Sequence, residues 1–347
     1  MGGRDRGLLG PARVPVGLGL MVRIGVVCGG GGDIAAAFMC GCVTAIYEAT
    51  GWNPGEADFI VGTSAGSIIG SALRQDLDPT DYHATMVGDR VSRKAAKVLT
   101  PEVLGGEDDG LPPLADDALS HARLTAPDLI ARSALMPGRV KPVVLAAAAL
   151  PEGRLDNSFV RNKILALRGD DWPADPLLIT ATRMDNGHRV VLSAHSQVRA
   201  GLSTAVAASC AIPSVFKPVM IEGAKYVDGG IRSGTNADVL LRQELDVVLI
   251  LSPLSSESKL SSALVGPVRT AMRMAAVAEQ QKLRGAGAEV LTFHPNMRTI
   301  NAMGLNIMDV KKRPRISTLA RESAAALLAS PKADNILPLL REAAQSH

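Results

Sequence analysis

The chain of 347 residues is long enough to bury a large core, either as one α/β domain or as two smaller ones. Its 47% apolar and 20% charged residues are typical of a globular protein and exclude a disordered one. A net charge of +3 and an aromatic content of 3% argue against nucleic acid as a partner, because neither a basic stripe nor a base-stacking surface is expected.

The N-terminal residues contain an apolar run, Val14 to Val22, that follows three arginines. No small-residue cleavage site separates this run from the first strand, so we interpret residues 1–20 as an extension and Met21 as a candidate start. No stretch approaches the roughly 18 apolar residues of a membrane-spanning helix. Any membrane contact is therefore expected to be peripheral, and no strongly basic amphipathic helix stands out.

The four cysteines show neither metal-binding nor disulfide spacing; they are Cys28, Cys40, Cys42 and Cys210. This pattern indicates a reducing environment and a cytoplasmic location. We expect no metal site and no other cofactor. The sequence does not indicate an oligomeric state.

A glycine-rich turn follows the first predicted strand, Val22 to Val27. The turn Gly29 to Asp33 precedes a predicted helix from about Ile34 to Glu48. Backbone N–H groups beside a helix N-terminus can bind a phosphate or stabilise the oxyanion of an acyl-transfer reaction. The glycine spacing fits neither phosphate-binding motif, which disfavours phosphate. A flexible turn without function remains the alternative.

A second strand and turn lie at Phe59 to Val61 and Gly62-Thr-Ser-Ala-Gly66. The pentapeptide fits G-x-S-x-G, the nucleophile elbow, with a strand before it and a helix after it. The sharp turn would raise the Ser64 hydroxyl above the sheet, while Gly62 and Gly66 let strand and helix pass closely. By itself the pattern also fits a glycine-rich turn with an incidental serine.

Proline and glycine recur between short helical pieces from about Gln75 to Pro176, which predicts a mostly helical insert that shapes a substrate channel. We assign this insert, 75–176, and the C-terminal part, 255–347, to one domain spanning 21–347. Later strands are predicted at 177–182, 189–193, 219–221, 225–227, 246–252 and 289–293, and later helices at 203–209, 259–284, 316–328 and 336–344. Strands alternating with helices predict a mostly parallel sheet covered on both faces.

A serine nucleophile needs a base, and the sequence offers two candidates. His294 follows the last predicted strand, as the histidine of a Ser-Asp-His hydrolase does, although a histidine at a strand end more commonly just faces solvent. Asp228 ends a strand and precedes Gly229 and Gly230, an arrangement that presents a carboxylate at a sheet edge. Taken alone, Asp-Gly-Gly is also a common turn.

The trio Gly29–Gly32, Gly62–Gly66 and Asp228–Gly230, in this order, resembles the patatin-like phospholipase family. Residues 208–218, 226–230 and 235–238 are similar to the bacterial branch of that family, and the likeness runs from about Val22 to Pro253. The resemblance implies a three-layer α/β/α fold and a Ser-Asp dyad without histidine. It also implies hydrolysis of lipid acyl esters through an acyl-enzyme.

Carried over by position, the resemblance makes Ser64 the nucleophile, Asp228 the base and the N–H groups of Gly30, Gly31 and Gly32 the oxyanion hole. One departure stands out: the family's glycine loop continues into an Arg or Lys and then another glycine, whereas this chain has Ala35 and Ala36 at those positions and Asp33 in place of a glycine. A carboxylate there would oppose the oxyanion unless its side chain caps the helix at Ile34.

Three functions follow from these residues. The first is a fatty-acyl ester hydrolase using Ser64 and Asp228. The second is a catalytically weak lipid-binding or regulatory protein that keeps the fold, as Asp33 suggests. The third is an esterase with a triad that includes His294.

Overall fold

The computed structural model describes residues 21–99, 103, 124–135, 138, 140–256 and 266–346. The predicted extension at 1–20, part of the insert and the predicted start of the helix at Lys259 lie outside these described residues. The first half of the chain contains β1 (Ile24–Cys28), α1 (Gly32–Thr50), β2 (Phe59–Thr63) and α2 (Ala65–Leu73). The insert follows with α3 (Pro79–Val87), α4 (Arg93–Val98), α5 (Pro127–Leu135), α6 (Pro142–Ala149) and α7 (Ser158–Arg168).

The second half returns to alternating strands and helices. It contains β3 (Leu177–Arg183), β4 (Arg189–Leu192), α8 (Leu202–Ser209), β5 (Val219–Ile221), β6 (Ala224–Asp228) and β7 (Val247–Leu251). The remaining elements are α9 (Gly266–Gly285), β8 (Glu289–Phe293), α10 (Met297–Met303), α11 (Arg313–Leu328) and α12 (Leu337–Gln345). The predicted strands are confirmed to within one or two residues, whereas α10 was not predicted because seven residues carry little helical periodicity.

The strands form one mixed sheet in the order β5-β6-β3-β2-β1-β7-β8, with β4 paired to β3. The central pairs from β3 through β8 are parallel, and β4, β5 and β6 run antiparallel to their neighbours. Alternate residues of β1 enter different cores: Val26 belongs to the core that includes the buried face of α1, and Val27 belongs to the core that includes Leu283 of α9. Helices on both faces confirm the predicted three-layer α/β/α fold with a mostly parallel sheet.

Among the described residues, one helix, α1, is long and apolar enough to cross a membrane by length and composition. The expectation that no such stretch exists was therefore wrong for α1. Of its most apolar window, 67% is buried inside the protein, where α1 packs against α11 and α3. The core accounts for its apolar composition.

Candidate active site

The topology of the sheet brings Ser64 and Asp228 together. Strand β2 runs parallel to β3 and ends with Thr63 opposite Thr180. Strand β6 runs antiparallel to β3 and ends with Asp228 opposite Ala181. Because β4 occupies the other edge of β3 along this stretch, β2 and β6 meet end to end on one edge. Two strand ends that lie far apart in sequence thus meet beside consecutive residues of β3.

Ser64 occupies the turn between β2 and α2 in a strained backbone conformation, with φ 53° and ψ −127°. A non-glycine residue adopts a positive φ only when its surroundings enforce it. Here the Ser64 N–H donates to Ser209 Oγ at 2.8 Å, and its carbonyl accepts from the Ser67 N–H at 2.7 Å. These bonds from both sides fix the position of the Ser64 side chain.

The glycines of this turn are required by close approaches. A Cβ on Gly62 would lie 2.5 Å from Ser67 Cα, and one on Gly66 would lie 2.0 Å from the Cys28 carbonyl oxygen. Both distances are shorter than any carbon contact allows, so only glycine fits. The structure places Gly62 and Gly66 as the steric argument from the sequence requires.

Asp228 is only 5% exposed and lies against Ser64, which is 6% exposed. Burial raises the pKa of Asp228 to about 6, while the nearby Ser64 side chain and the Gly230 N–H lower it. The Gly230 N–H donates to Asp228 Oδ1 at 2.7 Å. Burial dominates because it disfavours the ionised carboxylate. The structure thus places a carboxylate of raised pKa beside the Ser64 side chain.

The two glycines after Asp228 have separate structural roles. A Cβ on Gly229 would lie 2.5 Å from the Thr180 carbonyl oxygen, so the chain leaves β6 pressed against β3. Gly230 places its own N–H within hydrogen-bonding distance of the Asp228 carboxylate. Together they let the turn fold back tightly enough to leave Asp228 facing the elbow.

The glycine loop after β1 presents fewer donors than its sequence suggests. The Gly30 N–H donates to the Gly234 carbonyl at 2.9 Å, so this predicted oxyanion donor is already engaged. The N–H groups of Gly31 and Gly32 donate to no described residue and lie at the N-terminus of α1. A Cβ on Gly30 would lie 3.1 Å from Ser64 Cβ, which places the loop directly beside the serine.

Asp33 does not cap α1, so capping is not what keeps its carboxylate from opposing an oxyanion. The N-cap of α1 is Gly31, with no side-chain cap, and the Ile34 N–H donates to the Ile307 carbonyl at 3.2 Å. The Asp33 carboxylate instead forms an ion pair with Arg313 of α11. An ion pair satisfies a partly buried carboxylate better than a single amide does.

A pocket opens beside Ser64 and is lined mostly by apolar side chains. Its walls come from α2 and from the insert, including Ile68, Met86 and Val160, together with Phe216 after α8. Three charged residues, Asp33, Lys163 and Arg313, also line it. The Lys163 ammonium lies 5.5 Å from the Phe159 ring centroid, at cation–π distance.

His294 does not lie at this site. It follows β8, an edge strand three positions from β2 in the sheet, which corresponds to about 14 Å. Its Nδ1 lies 2.5 Å from Ser255 Oγ, and it lines a groove between α9 and α11 that Ser64 does not reach. The alternative triad is therefore wrong on geometry.

Two polar residues at the site were not identified from the sequence. Ser209 anchors the Ser64 N–H, and the buried Asn236 amide donates to the Ser233 carbonyl and, at longer distances, to Thr63 Oγ1 and the Gly229 carbonyl. Asn236 thereby links the residue before Ser64 to the residue after Asp228. Both residues lie in the segments 208–218 and 235–238 that resemble the family, but that likeness assigned neither of them a role; the left-handed backbone of Asn236, φ 53°, is visible only in the structure.

The residues that the structure describes include no cluster of three or more His, Cys, Asp or Glu side chains that could bind a metal ion. All four cysteines are free and buried. Burial raises the pKa of Cys210, which lines the Ser64 pocket, to about 12. Its thiol is therefore protonated and unreactive at neutral pH.

The model of the patatin-like phospholipase family matches residues 26–241. No curated protein sequence matches the chain. Similar solved structures include VipD from Legionella pneumophila, with 15% identity, a TM-score of 0.41, and coverage of 89% of this chain and 66% of VipD. The type III effector protein ExoU has 18% identity, a TM-score of 0.35, and coverage of 89% and 53%.

Human GIVD cytosolic phospholipase A2, in complex with methyl gamma-linolenyl fluorophosphonate and terbium chloride, has 13% identity and a TM-score of 0.32. The alignment covers 94% of this chain and 60% of the human one. The chain thus spans between about half and two thirds of these three proteins. Because the family model covers more than half of its residues, the chain belongs to the patatin-like phospholipase family, a family of lipid hydrolases.

Proposed function

We propose that this protein hydrolyses fatty-acyl esters of lipids with a catalytic dyad of Ser64 and Asp228. The observation that carries the proposal is the strained Ser64 at the wall of an apolar pocket, with the buried Asp228 carboxylate close enough to the Ser64 side chain for each to affect the other electrostatically. A carboxylate with a pKa of about 6 is ionised at neutral pH and is a stronger base than an ordinary aspartate. These are the properties that a general base for serine requires.

The reaction proceeds in two transfers. Ser64 Oγ attacks the acyl carbon, its proton passes to Asp228, and the carbonyl electron pair moves onto oxygen. Collapse of this intermediate breaks the bond to the alcohol, which leaves with the proton from Asp228 and leaves the acyl group on Ser64. Water then attacks the acyl carbon, Asp228 accepts its proton, and the second collapse releases the fatty acid and returns a proton to Ser64.

The oxyanion that forms in each step is stabilised by the N–H groups of Gly31 and Gly32. Both lie at the positive end of α1, where backbone donors and the helix dipole favour a negative charge. Gly30 contributes by close packing against Ser64, since its own N–H is engaged. We assign the oxyanion hole to these main-chain groups.

The apolar pocket is the acyl-chain site in this proposal, and the insert supplies much of its wall through α3 and α7. The insert also exposes apolar side chains around α6: Val143 is 47% and Leu150 is 44% exposed. Exposed apolar side chains of this kind favour peripheral contact with a lipid surface, and we propose that the protein is cytoplasmic and makes such contact. Pocket shape would decide the acyl length and head group.

The test combines covalent labelling with matched variants. A fluorophosphonate should label wild-type protein on Ser64, and hydrolysis of p-nitrophenyl butyrate should fall by at least about 10³-fold in Ser64→Ala and in Asp228→Asn. Ser71→Ala is the matched control, because Ser71 is likewise a buried serine but lies within α2, where its hydroxyl donates to the Ser67 carbonyl at 2.8 Å. His294→Ala should leave the rate unchanged.

An absent label together with unchanged activity in Ser64→Ala would contradict the dyad. A wild-type protein that binds fatty-acyl lipid without turnover would instead fit the catalytically weak alternative. Activity lost in His294→Ala but retained in Asp228→Asn would restore the triad.

A further inference from the structure

The ion pair between Asp33 and Arg313 lies beside the proposed oxyanion hole. Asp33 is in the first turn of α1, directly after Gly32. Its side chain is 15% exposed and that of Arg313 is 10% exposed, so little water screens the pair. Both residues line the pocket that Ser64 also lines. The charge state of this pair therefore acts on the reacting atoms.

An isolated Asp33 carboxylate would oppose the reaction. The N-terminus of α1 carries partial positive charge because its first N–H groups have no partner within the helix. A full negative charge one residue from Gly32 would cancel that potential where the oxyanion forms. The Arg313 guanidinium neutralises the carboxylate and leaves the N–H groups effective.

The segment that carries Arg313 is built against the glycine loop. A Cβ on Gly32 would lie 2.6 Å from the Ile307 carbonyl oxygen, and the Ile34 N–H donates to that same oxygen. Further along, a Cβ on Gly41 of α1 would lie 2.2 Å from the Ser317 carbonyl oxygen of α11. These approaches on both sides of Arg313 fix its position relative to α1.

We infer that Arg313 is a positioning residue for acyl transfer, which neutralises Asp33 so that the N-terminus of α1 can stabilise the oxyanion. This inference rests on the proposed function. It assigns a role in the site to residues 307–317, which lie beyond the 26–241 matched by the family model. The C-terminal part of the chain thus completes the active site.

The experiment compares Arg313→Met, Asp33→Asn and the double variant by steady-state hydrolysis of p-nitrophenyl butyrate. Arg313→Met leaves an uncompensated carboxylate near the oxyanion, so kcat should fall by about 10- to 100-fold while KM changes by less than about threefold. Asp33→Asn alone should stay within about threefold of wild type. The double variant should recover most of the loss, because the opposing charge is gone.

Arg321→Met is the matched control. Arg321 lies on the same helix and pairs with Glu48 of α1, with its side chain 43% exposed. This variant removes an α1–α11 ion pair outside the pocket and should leave kcat unchanged. Arg313→Lys keeps the positive charge and should retain most of the activity. A lone, largely buried carboxylate is destabilising, and Arg313→Met could fail to fold for that reason. In that case the comparison of Arg313→Lys with the double variant tests the same inference.

A double variant that stays as impaired as Arg313→Met would overturn the inference, as would an unchanged kcat in Arg313→Met. Equal losses in Arg321→Met and Arg313→Met would show that helix packing alone is responsible. Failure of the proposed function is distinguishable, because it appears as wild-type turnover that Ser64→Ala does not abolish.

Discussion

Two glycine-rich turns stand side by side at the carboxyl ends of β1 and β2, and each leads into a helix. In the β2 turn, glycines allow close packing so that one strained side chain, Ser64, is presented. In the β1 turn, Gly31 and Gly32 have positive φ angles, and main-chain N–H groups are presented instead. The same local architecture therefore serves either a side chain or the backbone.

The two turns also differ in what supports them. The glycines of the β2 turn pack against α2 and the end of β1, elements that lie close in sequence. The β1 turn packs against Leu254, Ile307 and Met308, and its acidic residue is neutralised by Arg313. The elbow is thus largely local, whereas the loop depends on the distant C-terminal part of the chain.

The largest effect is expected from Gly66→Ala, which breaks the elbow. The new Cβ would lie 2.0 Å from the Cys28 carbonyl oxygen, and backbone cannot move aside cheaply. We expect a loss of at least about 3 kcal/mol in the free energy of unfolding, together with loss of fluorophosphonate labelling. Thermal and urea unfolding measure the change in the free energy of unfolding.

Gly285→Ala is its control, since Gly285 ends α9 with no atom within 4 Å of a Cβ, and it should change stability by less than about 1 kcal/mol. Wild-type stability in Gly66→Ala would show that the elbow is less constrained than its geometry indicates.

Gly32→Ala tests the loop in the same way and should affect catalysis more than folding. Gly32 has φ 67°, and a Cβ there would meet the Ile307 carbonyl, so the loop must shift. A displaced oxyanion donor should lower kcat by about 100-fold. Gly287→Ala is the matched control: Gly287 has φ 96° but nothing near its Cβ, so it carries similar backbone strain away from the site. Equal kcat values in the two variants would contradict the role of the loop.

The smallest effects concern pH, because the β1 turn offers main-chain groups whereas Ser64 of the β2 turn depends on a carboxylate. Main-chain donors do not titrate, so the acid limb of kcat/KM should report Asp228, with an apparent pKa of about 6. The rate should fall about tenfold for each pH unit below that value. Gly32→Ala should lower the profile without moving its midpoint. A midpoint near the ordinary 3.8 would show that burial does not raise the pKa of the base, and an acid limb left unchanged in Asp228→Asn would show that Asp228 is not the base.

The raised pKa of Asp228 also has a consequence for stability. Because the folded-state pKa lies above the ordinary 3.8, stability from this group is fully present below pH 3.8 and is lost as the pH rises through about 6. Asp228→Asn should therefore unfold a few degrees above wild type at pH 8. The two proteins should converge near pH 4 in a series of melting curves.

Much of the fold was predictable from local patterns. Buried strands such as β1 and β7 are short apolar runs bounded by turn residues, and both were predicted within two residues of their observed ends. The strand ending at Asp228 was also predicted, because Gly229 and Gly230 mark its end. These signals depend on neighbouring residues, and so the sequence displays them directly.

The roles of the remaining site residues were not predictable, because a single polar residue does not show in the sequence which distant group it will contact. Ser209 ends an ordinary helix, yet its hydroxyl anchors the Ser64 N–H. Arg313 is one of 37 basic residues in the chain, and only packing against α1 selects it as the partner of Asp33. Likewise, the engagement of the Gly30 N–H depends on Gly234, about two hundred positions away.

By itself, the sequence determined the three-layer α/β/α class, the elbow at Ser64 and the strand end at Asp228. Local sterics enforce those features, since glycine spacing and apolar periodicity act within a few residues. Only the tertiary structure decided that β2 and β6 meet end to end along β3, which excludes His294 and pairs Ser64 with Asp228. It also decided that Arg313 reaches Asp33, because strand order and helix packing join residues that no local pattern connects.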